Sequence, residues 1–488
     1  MRLLSILRNQ YFWLGLILIL GFLVRLYKID SPIADWHSWR QADTAAVTRN
    51  FIKEGFNPFL PKYDDMSGVA ERPIANPNRF RFVEFPLYNI FVYPLYLIFG
   101  VDVRFHRLVT ILFSLGSTTF LFFIVKKYSG ILIALTSSFV FAMLPFNIFF
   151  SRTTLPDPTF VCFVLGMIWF LSNWIEKEKR IDLNLGFLST AIAFLIKPWA
   201  IFFFLPLLYL LRKKSKRFTF YFLLFTLISL TPFIFWRLWI LQQPEGIPAS
   251  SWLLNGDGIR FRPAFFWWII SNRLGTEVLT AAGMGLFLLG LITRPKNGNY
   301  FLHIWAFCSF LFIAIFATGN VRHNYYQILF IPVASIFLAK GFIILFKGER
   351  LFLLRVWTIP IGILLFILTF YFGWKEIKGL YQINNPSIVE AGLQADRILP
   401  KSAVVVAPYN GDSAFLYQTN RSGFAFVVLP ITEMITDYGV TSYVSTTMDA
   451  KTVWISKHFK VLEQKPNFII IDLTTLTSKL DFKLDPER

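Results

Sequence analysis

Two cysteines serve a chain of 488 residues, and charge is nearly as scarce, at 16% of positions. Cys162 and Cys308 each lie inside an apolar run, which excludes a disulfide framework or a CxxC metal site. A water-soluble domain usually carries about 25% charged residues. Here apolar residues make up 55% and aromatics 18%, so the chain is too apolar for a water-soluble core and reads as a polytopic membrane protein. Acids are the scarcer charge, 29 against 48 Lys and Arg, a net +19. The basic residues punctuate apolar segments and form no amphipathic stripe, which argues against nucleic-acid binding and for a positive-inside membrane topology. Histidine is rare (five residues) and shows no HxxxH-type spacing. No cofactor is expected on these grounds; a divalent metal is the alternative, and this spacing gives it little support. No internal repeat is evident, although many transporters are built from repeats.

Apolar runs of about 20 residues mark membrane helices, and the sequence predicts about eleven. The first runs from Tyr11 to Tyr27. Arg2 and Arg8 precede it, placing the amino terminus in the cytoplasm. No small-residue cleavage site interrupts the run, so it reads as a retained helix. A polar outer loop follows at 28–83. Phe85 to Phe99, short and broken by Pro86 and Pro94, reads as an interfacial or partly inserted helix. Further spans are expected at 108–125, 131–150, 159–175, 183–196, 200–211 and 218–239. A polar outer loop at 242–272 precedes spans at 278–292, 301–317, 328–346 and 356–372. This count puts every strong basic cluster on one side: Lys126-Lys127, Lys177 to Arg180, Arg212 to Arg217, Arg294 to Lys296 and Lys347 to Arg350.

Beyond Lys375 the composition changes. Asn384 to Leu399 reads as an amphipathic helix. Ala403 to Ala407 and Phe468 to Asp472 read as buried parallel strands. Ser413 to Gln418 and Ile431 to Tyr438 read as helices. The expected fold is therefore a polytopic α-helical membrane domain, 1–374, with the loop 28–83 as part of it. A small α/β domain, 375–488, follows, and an odd helix count places it outside the cell membrane.

Chemistry concentrates just after the first helix, in Asp35-Trp36-His37-Ser38-Trp39-Arg40-Gln41-Ala42-Asp43-Thr44. A group transfer at the membrane face needs a general base for the incoming nucleophile and cations for a phosphate leaving group. Asp35 and Asp43 are candidate bases; Arg40 and His37 could hold phosphate. On a helix Arg40 would face Asp43 and Thr44, so an intrahelical ion pair is the plainer account of Asp43. Asp35 has no such neighbour, and Trp36 and Trp39 read as interfacial anchors. Glu84 stands where the polar loop meets an apolar segment, as a functional acid or as the ion partner of Arg81. Arg152 and Asp157 close the outer end of a predicted span, where Asp157 could simply cap the next helix ahead of Pro158. Lys197, between two apolar segments, needs an anion or must snorkel. In His323-Asn324-Tyr325-Tyr326-Gln327, the i,i+4 spacing could bring His323 and Gln327 to one site, and the tyrosines could form an aromatic belt.

These motifs together resemble a known family. Trp39-Arg40-Gln41-Ala42-Asp43-Thr44-Ala45 with Arg49-Asn50-Phe51, Glu84-Phe85-Pro86-Leu87-Tyr88, Arg152 with Asp157, Lys197-Pro198, and His323 to Gln327 resemble the GT-C membrane glycosyltransferases. The branch is that of protein O-mannosyltransferases and lipid A aminoarabinose transferases, glycosyltransferase family 39. The resemblance runs from the first helix to about the tenth. It implies an inverting transfer of a hexosyl or pentosyl unit from a polyprenyl-phosphate donor to a lipid, glycan or protein acceptor. The reaction would take place on the outer face of the inner membrane. It implies an acid of the first loop as base, on Asp35 or Asp43; members often carry a paired Asp-Glu there, where this chain has Asp35-Trp36. Glu84 is a further acid of that set. His37, Arg40, Gln41, Arg152, Asp157, Lys197, His323, Tyr325, Tyr326 and Gln327 become substrate-binding candidates, with no metal ligand. The rival reading is a transporter or flippase of lipid-linked sugars, which would use the same charges as a binding path; their clustering on one face favours the enzyme.

Overall fold

A computed structural model describes residues 9–72, 74–295, 298–348 and 355–478. The basic residues Arg2, Arg8, Lys296 and Arg350 lie outside the described residues. The chain forms two compact units. One comprises residues 1–29, 107–237 and 250–380; the other comprises 30–106, 238–249 and 381–488. Composition draws its boundary near Lys375, whereas packing draws it at 380 and gathers the first loop with the carboxy-terminal domain.

The first unit is helical. Gln10–Arg25, Val103–Ser129 (from Arg107 onward), Asp157–Lys177, Arg180–Ile196, Thr280–Ile292, Phe301–Ile315, Ile331–Lys347 and Arg355–Ile377 follow the predicted apolar runs. Among the described residues four helices are long and apolar enough to cross a membrane, or five if one bent pair counts as a span. Several runs expected as single spans are broken. Pro145 lacks an N–H and disfavours a helical residue before it. Leu144 is accordingly extended (ψ 122°), and the run from Ile131 splits into Ile131–Met143 and Pro145–Phe150. The 200–211 run is a 3-10 helix, Pro198–Phe204, followed by Leu205–Leu211. The expected loop at 242–272 is helical from Pro263, passing into a π-helix at Trp267–Val278 that bends by 107° into Thr280–Ile292. Thr280–Ile292 crosses Ile331–Lys347 through paired glycines. A Cβ at Gly290 would overlap the carbonyl oxygen of Phe337, and one at Gly341 that of Leu286. Small residues allow such close backbone approach between membrane helices.

The second unit is built on a five-stranded sheet: β1 (Val404–Val406), β2 (Ser422–Phe424), β3 (Ser442–Ser445), β4 (Phe459–Lys465) and β5 (Phe468–Leu476), in the order β2-β1-β3-β5-β4. β1 is parallel to β2 and β3, as its buried run suggested. β5 is antiparallel to both neighbours, contrary to the parallel expectation for Phe468 to Asp472. A tight turn after Lys465 returns the chain directly beside β4, and a turn that short joins only antiparallel strands. Phe468 to Ile471 are nevertheless buried, because helices cover both faces. On one face Val405 and Ile470 pack with Ile388, Ala391 and Ala395 of helix Pro386–Ile398 and with Ala42 and Ala45 of helix Ser38–Glu54. On the other, Val406, Ile469 and Ile471 pack with Ile431, Met434, Trp454 and Ile455. The first loop also extends the sheet edge: Met66 donates to the Gly423 carbonyl (2.7 Å) and Gly423 to that of Asp64 (3.0 Å).

Candidate functional site

The second unit holds the first-loop acids. Helix Ser38–Glu54 begins after His37, whose left-handed backbone (φ 56°) turns the chain sharply, and buries its small residues on the sheet domain. Its polar side chains find partners far along the chain. Arg40 pairs with Glu84, its Nη2 lying 2.5 Å and 2.8 Å from the two carboxylate oxygens. Asp43 pairs with Arg81 at 2.7 Å and accepts the Ser413 hydroxyl at 2.6 Å. The two ion pairs anticipated as local, Arg40 with Asp43 and Arg81 with Glu84, are thus exchanged. Phe80 is bridged to Lys62, and the chain bends at Val83 and Glu84 before helix Leu87–Phe99. Arg81 and Glu84 therefore reach different partners.

Asp35 is fully buried and accepts from the Gln41 amide (2.7 Å), which also reaches the Trp36 carbonyl. Trp36 is the exposed member, edge-on to the His37 ring at 5.2 Å. Ser38 donates to Asp412 at 2.6 Å. Next to this lies a set of which the sequence reading includes Arg49 but neither of its acidic neighbours, Asp64 and Asp65. Arg49 pairs with Asp64 and sits 4.0 Å over the Tyr417 ring. Asp65 is buried; burial pushes its carboxyl up to about 6, the Ser67 hydrogen bonds oppose the shift, and Asp43 adds to it. The adjacent acids Asp64-Asp65, inside a loop otherwise read only at its two ends, were the signal.

The first unit holds the cationic residues. Asp157 opens helix Asp157–Lys177 without capping it; its Oδ1 instead accepts from Lys197 at 2.6 Å, both side chains buried. Lys197 has its anion and does not snorkel: its ammonium lies 4.5 Å from the Trp199 ring centroid, 5.3 Å from that of Tyr326 and 5.9 Å from that of Tyr325. The tyrosine pair is buried against this cation, not arrayed as a belt. Arg152 is fully buried, donates to the Lys28 carbonyl at 3.0 Å and stacks on Phe149. His323 and Gln327 turn to different neighbours. Residues 324–329 form a 3-10 helix, in which i and i+3, not i+4, are aligned. Gln327 turns to Asn320, while the His323 ring meets Trp252, Tyr325 and Tyr326 at 5.4–5.7 Å. Asn324 instead donates to Glu277 (2.8 Å), the buried acid of the π-helix, which pairs with Arg273. Among the described residues no three His, Cys, Asp or Glu side chains are grouped to hold a metal.

Residues 84–239 match the family of dolichyl-phosphate-mannose-protein mannosyltransferases. No curated protein matches the chain in sequence. Solved structures match its fold. ArnT from Cupriavidus metallidurans in the apo state superposes with a TM-score of 0.68 at 12% identity, covering 94% of this chain and 97% of that one. The same protein bound to undecaprenyl phosphate gives 0.67 at 11%, covering 94% and 98%. The oligosaccharyltransferase of Archaeoglobus fulgidus gives 0.57 at 10%, covering 92% and 73%. At these identities the likeness is one of fold: a mostly helical architecture with a small carboxy-terminal sheet. The resemblance carried by the sequence motifs is thus met by both comparisons.

Proposed function

We propose that the protein is an integral membrane glycosyltransferase that moves a sugar from a polyprenyl-phosphate donor to a lipid, glycan or protein acceptor on the outer face of the inner membrane. One observation carries this reading: the stretch matching the mannosyltransferase family, 84–239, contains Glu84, Arg152, Asp157 and Lys197. The solved relative with undecaprenyl phosphate bound supports the donor class. In this reading about eleven spans cross the membrane, with the amino terminus in the cytoplasm and the domain 375–488 outside.

The chemistry follows from the residues. An inverting transfer breaks the bond between the anomeric carbon and the phosphate as the acceptor bond forms. The leaving phosphate gains charge, and Lys197 and Arg152 stabilise it electrostatically in low-dielectric surroundings. Asp157 holds the Lys197 ammonium in place, Tyr325 and Tyr326 border that cation, and His323, packed on the two tyrosines, lines the sugar pocket. A first-loop carboxylate, Asp35 or alternatively Asp43, deprotonates or orients the acceptor, and Glu84 lines the sugar pocket; Gln41, Arg81 and Arg40 hold these three acids. Loss of a phosphate leaving group drives the reaction, so neither a nucleotide nor a redox cofactor is required. The test is purified protein with a panel of radiolabelled polyprenyl-phosphate sugars. Release of polyprenyl phosphate coupled to labelled acceptor supports the reading, and no turnover of any donor removes it.

A further inference from the structure

Lys340 lies nine-tenths buried in helix Ile331–Lys347, and no carboxylate pairs with it among the described residues. A lysine in apolar surroundings snorkels to water or meets an anion. Lys340 does not reach along the helix toward its basic end. Its ammonium turns back over the Phe337 ring, 4.8 Å from the centroid. The His303 ring packs on the same phenyl at 5.0 Å, and its Nδ1 is buried with no hydrogen-bond partner among the described residues. His303 belongs to the first turn of helix Phe301–Ile315, whose amide dipoles add partial positive charge. Beside these groups ends Thr280–Ile292, which crosses Ile331–Lys347 at Gly290 and Gly341, next to Lys340. The rim is apolar, with Ile292 and Tyr300 exposed. Tyr300 donates its amide to the Tyr209 hydroxyl at 3.1 Å, and the exposed Arg212 stacks on Tyr209, its guanidinium carbon 3.7 Å from the ring centroid.

We propose that this crevice binds the phosphate of an anionic phospholipid, held between the Lys340 ammonium and the His303 imidazole, with its acyl chains along Ile292 and Tyr300. The proposal rests on the membrane placement in the reading above and not on the transfer reaction. All of its residues belong to the first unit. A lone ammonium in an apolar crevice is costly. A phosphate there neutralises it and takes a charge-assisted hydrogen bond from His303 Nδ1. The apolar rim selects a lipid over a soluble anion, because only a lipid covers Ile292 and Tyr300 while its headgroup reaches the cation. The position suits a headgroup layer. Thr280–Ile292 ends and Phe301–Ile315 begins at this level, on the side of the basic residues Arg212 and Arg294. Basic pockets between membrane helices on the positively charged side bind anionic headgroups in this way.

The test is full-length protein, stripped of lipid in detergent, with thermal unfolding followed as dioleoyl phosphatidylglycerol, dioleoyl phosphatidylcholine or inorganic phosphate is added. Phosphatidylglycerol should raise the unfolding temperature of the wild type, as a ligand bound only by the folded state does. Lys340→Met keeps the length of the side chain and removes its charge. It should unfold no lower than the wild type without lipid, and bind phosphatidylglycerol about 10- to 100-fold more weakly. Lys340→Arg should retain most of the affinity. His303→Phe should weaken it, and carries the same comparison if Lys340→Met does not fold. Lys213→Met, which removes an exposed charge of the same basic face, should leave the affinity unchanged. Equal protection of wild type and Lys340→Met by phosphatidylglycerol, or equal protection of the wild type by phosphatidylcholine, overturns the inference. Protection by inorganic phosphate as strong as that by the lipid overturns the lipid as occupant. None of these readouts uses a sugar donor, so a protein that transfers no sugar leaves the inference standing.

Discussion

Arg40 and Glu84, 44 positions apart, form a closed ion pair with side chains only 5% and 10% exposed. Neither residue is paired with the neighbour that local spacing offered it. Removing one partner of a buried pair leaves the other charge uncompensated, which typically costs about 3–5 kcal/mol. Arg40→Ala or Glu84→Gln alone should therefore lower the unfolding temperature in detergent markedly. The double replacement Arg40→Met with Glu84→Gln should recover much of the loss. A single variant as stable as the wild type would mean that the pair contributes nothing.

The Lys197–Asp157 pair makes a sharper case, because stability and donor binding can be separated. Lys197→Ala and Arg152→Ala should each weaken binding of a polyprenyl-phosphate analogue by roughly 10- to 100-fold, the worth of one charged hydrogen bond. Replacing Lys197 by Met together with Asp157→Asn removes both buried charges and should restore stability while leaving donor binding weak. Normal analogue binding in Lys197→Ala and Arg152→Ala would place the phosphate elsewhere.

Helices were legible from the sequence because apolar length and proline position act locally. Helix Ile431–Tyr438 falls where its pattern put it, and helix Pro386–Ile398 within a residue or two, with Asn385 capping it. Strand direction was less accessible. β1 and β5 are equally apolar, but only the chain's route decides that β5 runs antiparallel. The polar residues of the first loop were visible as a cluster, but their pairing was not. Arg40 and Asp43 look like partners at a spacing of three, yet each is claimed by a residue brought in by tertiary folding. Asp412 gave no signal, since an acid in a polar turn before a short helix looks like any other cap. Glu277 was hidden because it falls between the loop read at 242–272 and the span read from 278, a boundary that cuts through the π-helix Trp267–Val278.

Topology can be tested independently of chemistry. Lys213 lies in the basic run ending one apolar segment and Lys460 on β4, and both are exposed. The native cysteines are buried, so background labelling should be low. Lys213→Cys and Lys460→Cys should react with a membrane-impermeant maleimide from opposite sides, Lys460→Cys from outside. Labelling from the same side would mean that the span count is off by one.

Asp65 gives a pH signature. Its carboxyl stands at about 6 against an ordinary value of 3.8, because burial disfavours the charge more than the Ser67 hydrogen bonds and Arg81 favour it. Between those two values the folded protein holds a proton that the unfolded chain has released. Stability then decreases as pH rises through this window and levels off above about 6, where both states are ionised. Each pH unit separating the two values is worth about 1.4 kcal/mol, so the penalty at neutral pH is on the order of 2–3 kcal/mol. Asp65→Asn keeps the shape, can still accept from the Ser67 amide, and never ionises. It should unfold at a higher temperature than the wild type at pH 7.5, with the gap shrinking to about a third of that at pH 4.5. The measurement is thermal unfolding of both proteins across pH 4–8. Parallel curves with a constant gap would show that the Asp65 carboxylate is already stabilised by its neighbours, with no penalty for the substitution to relieve.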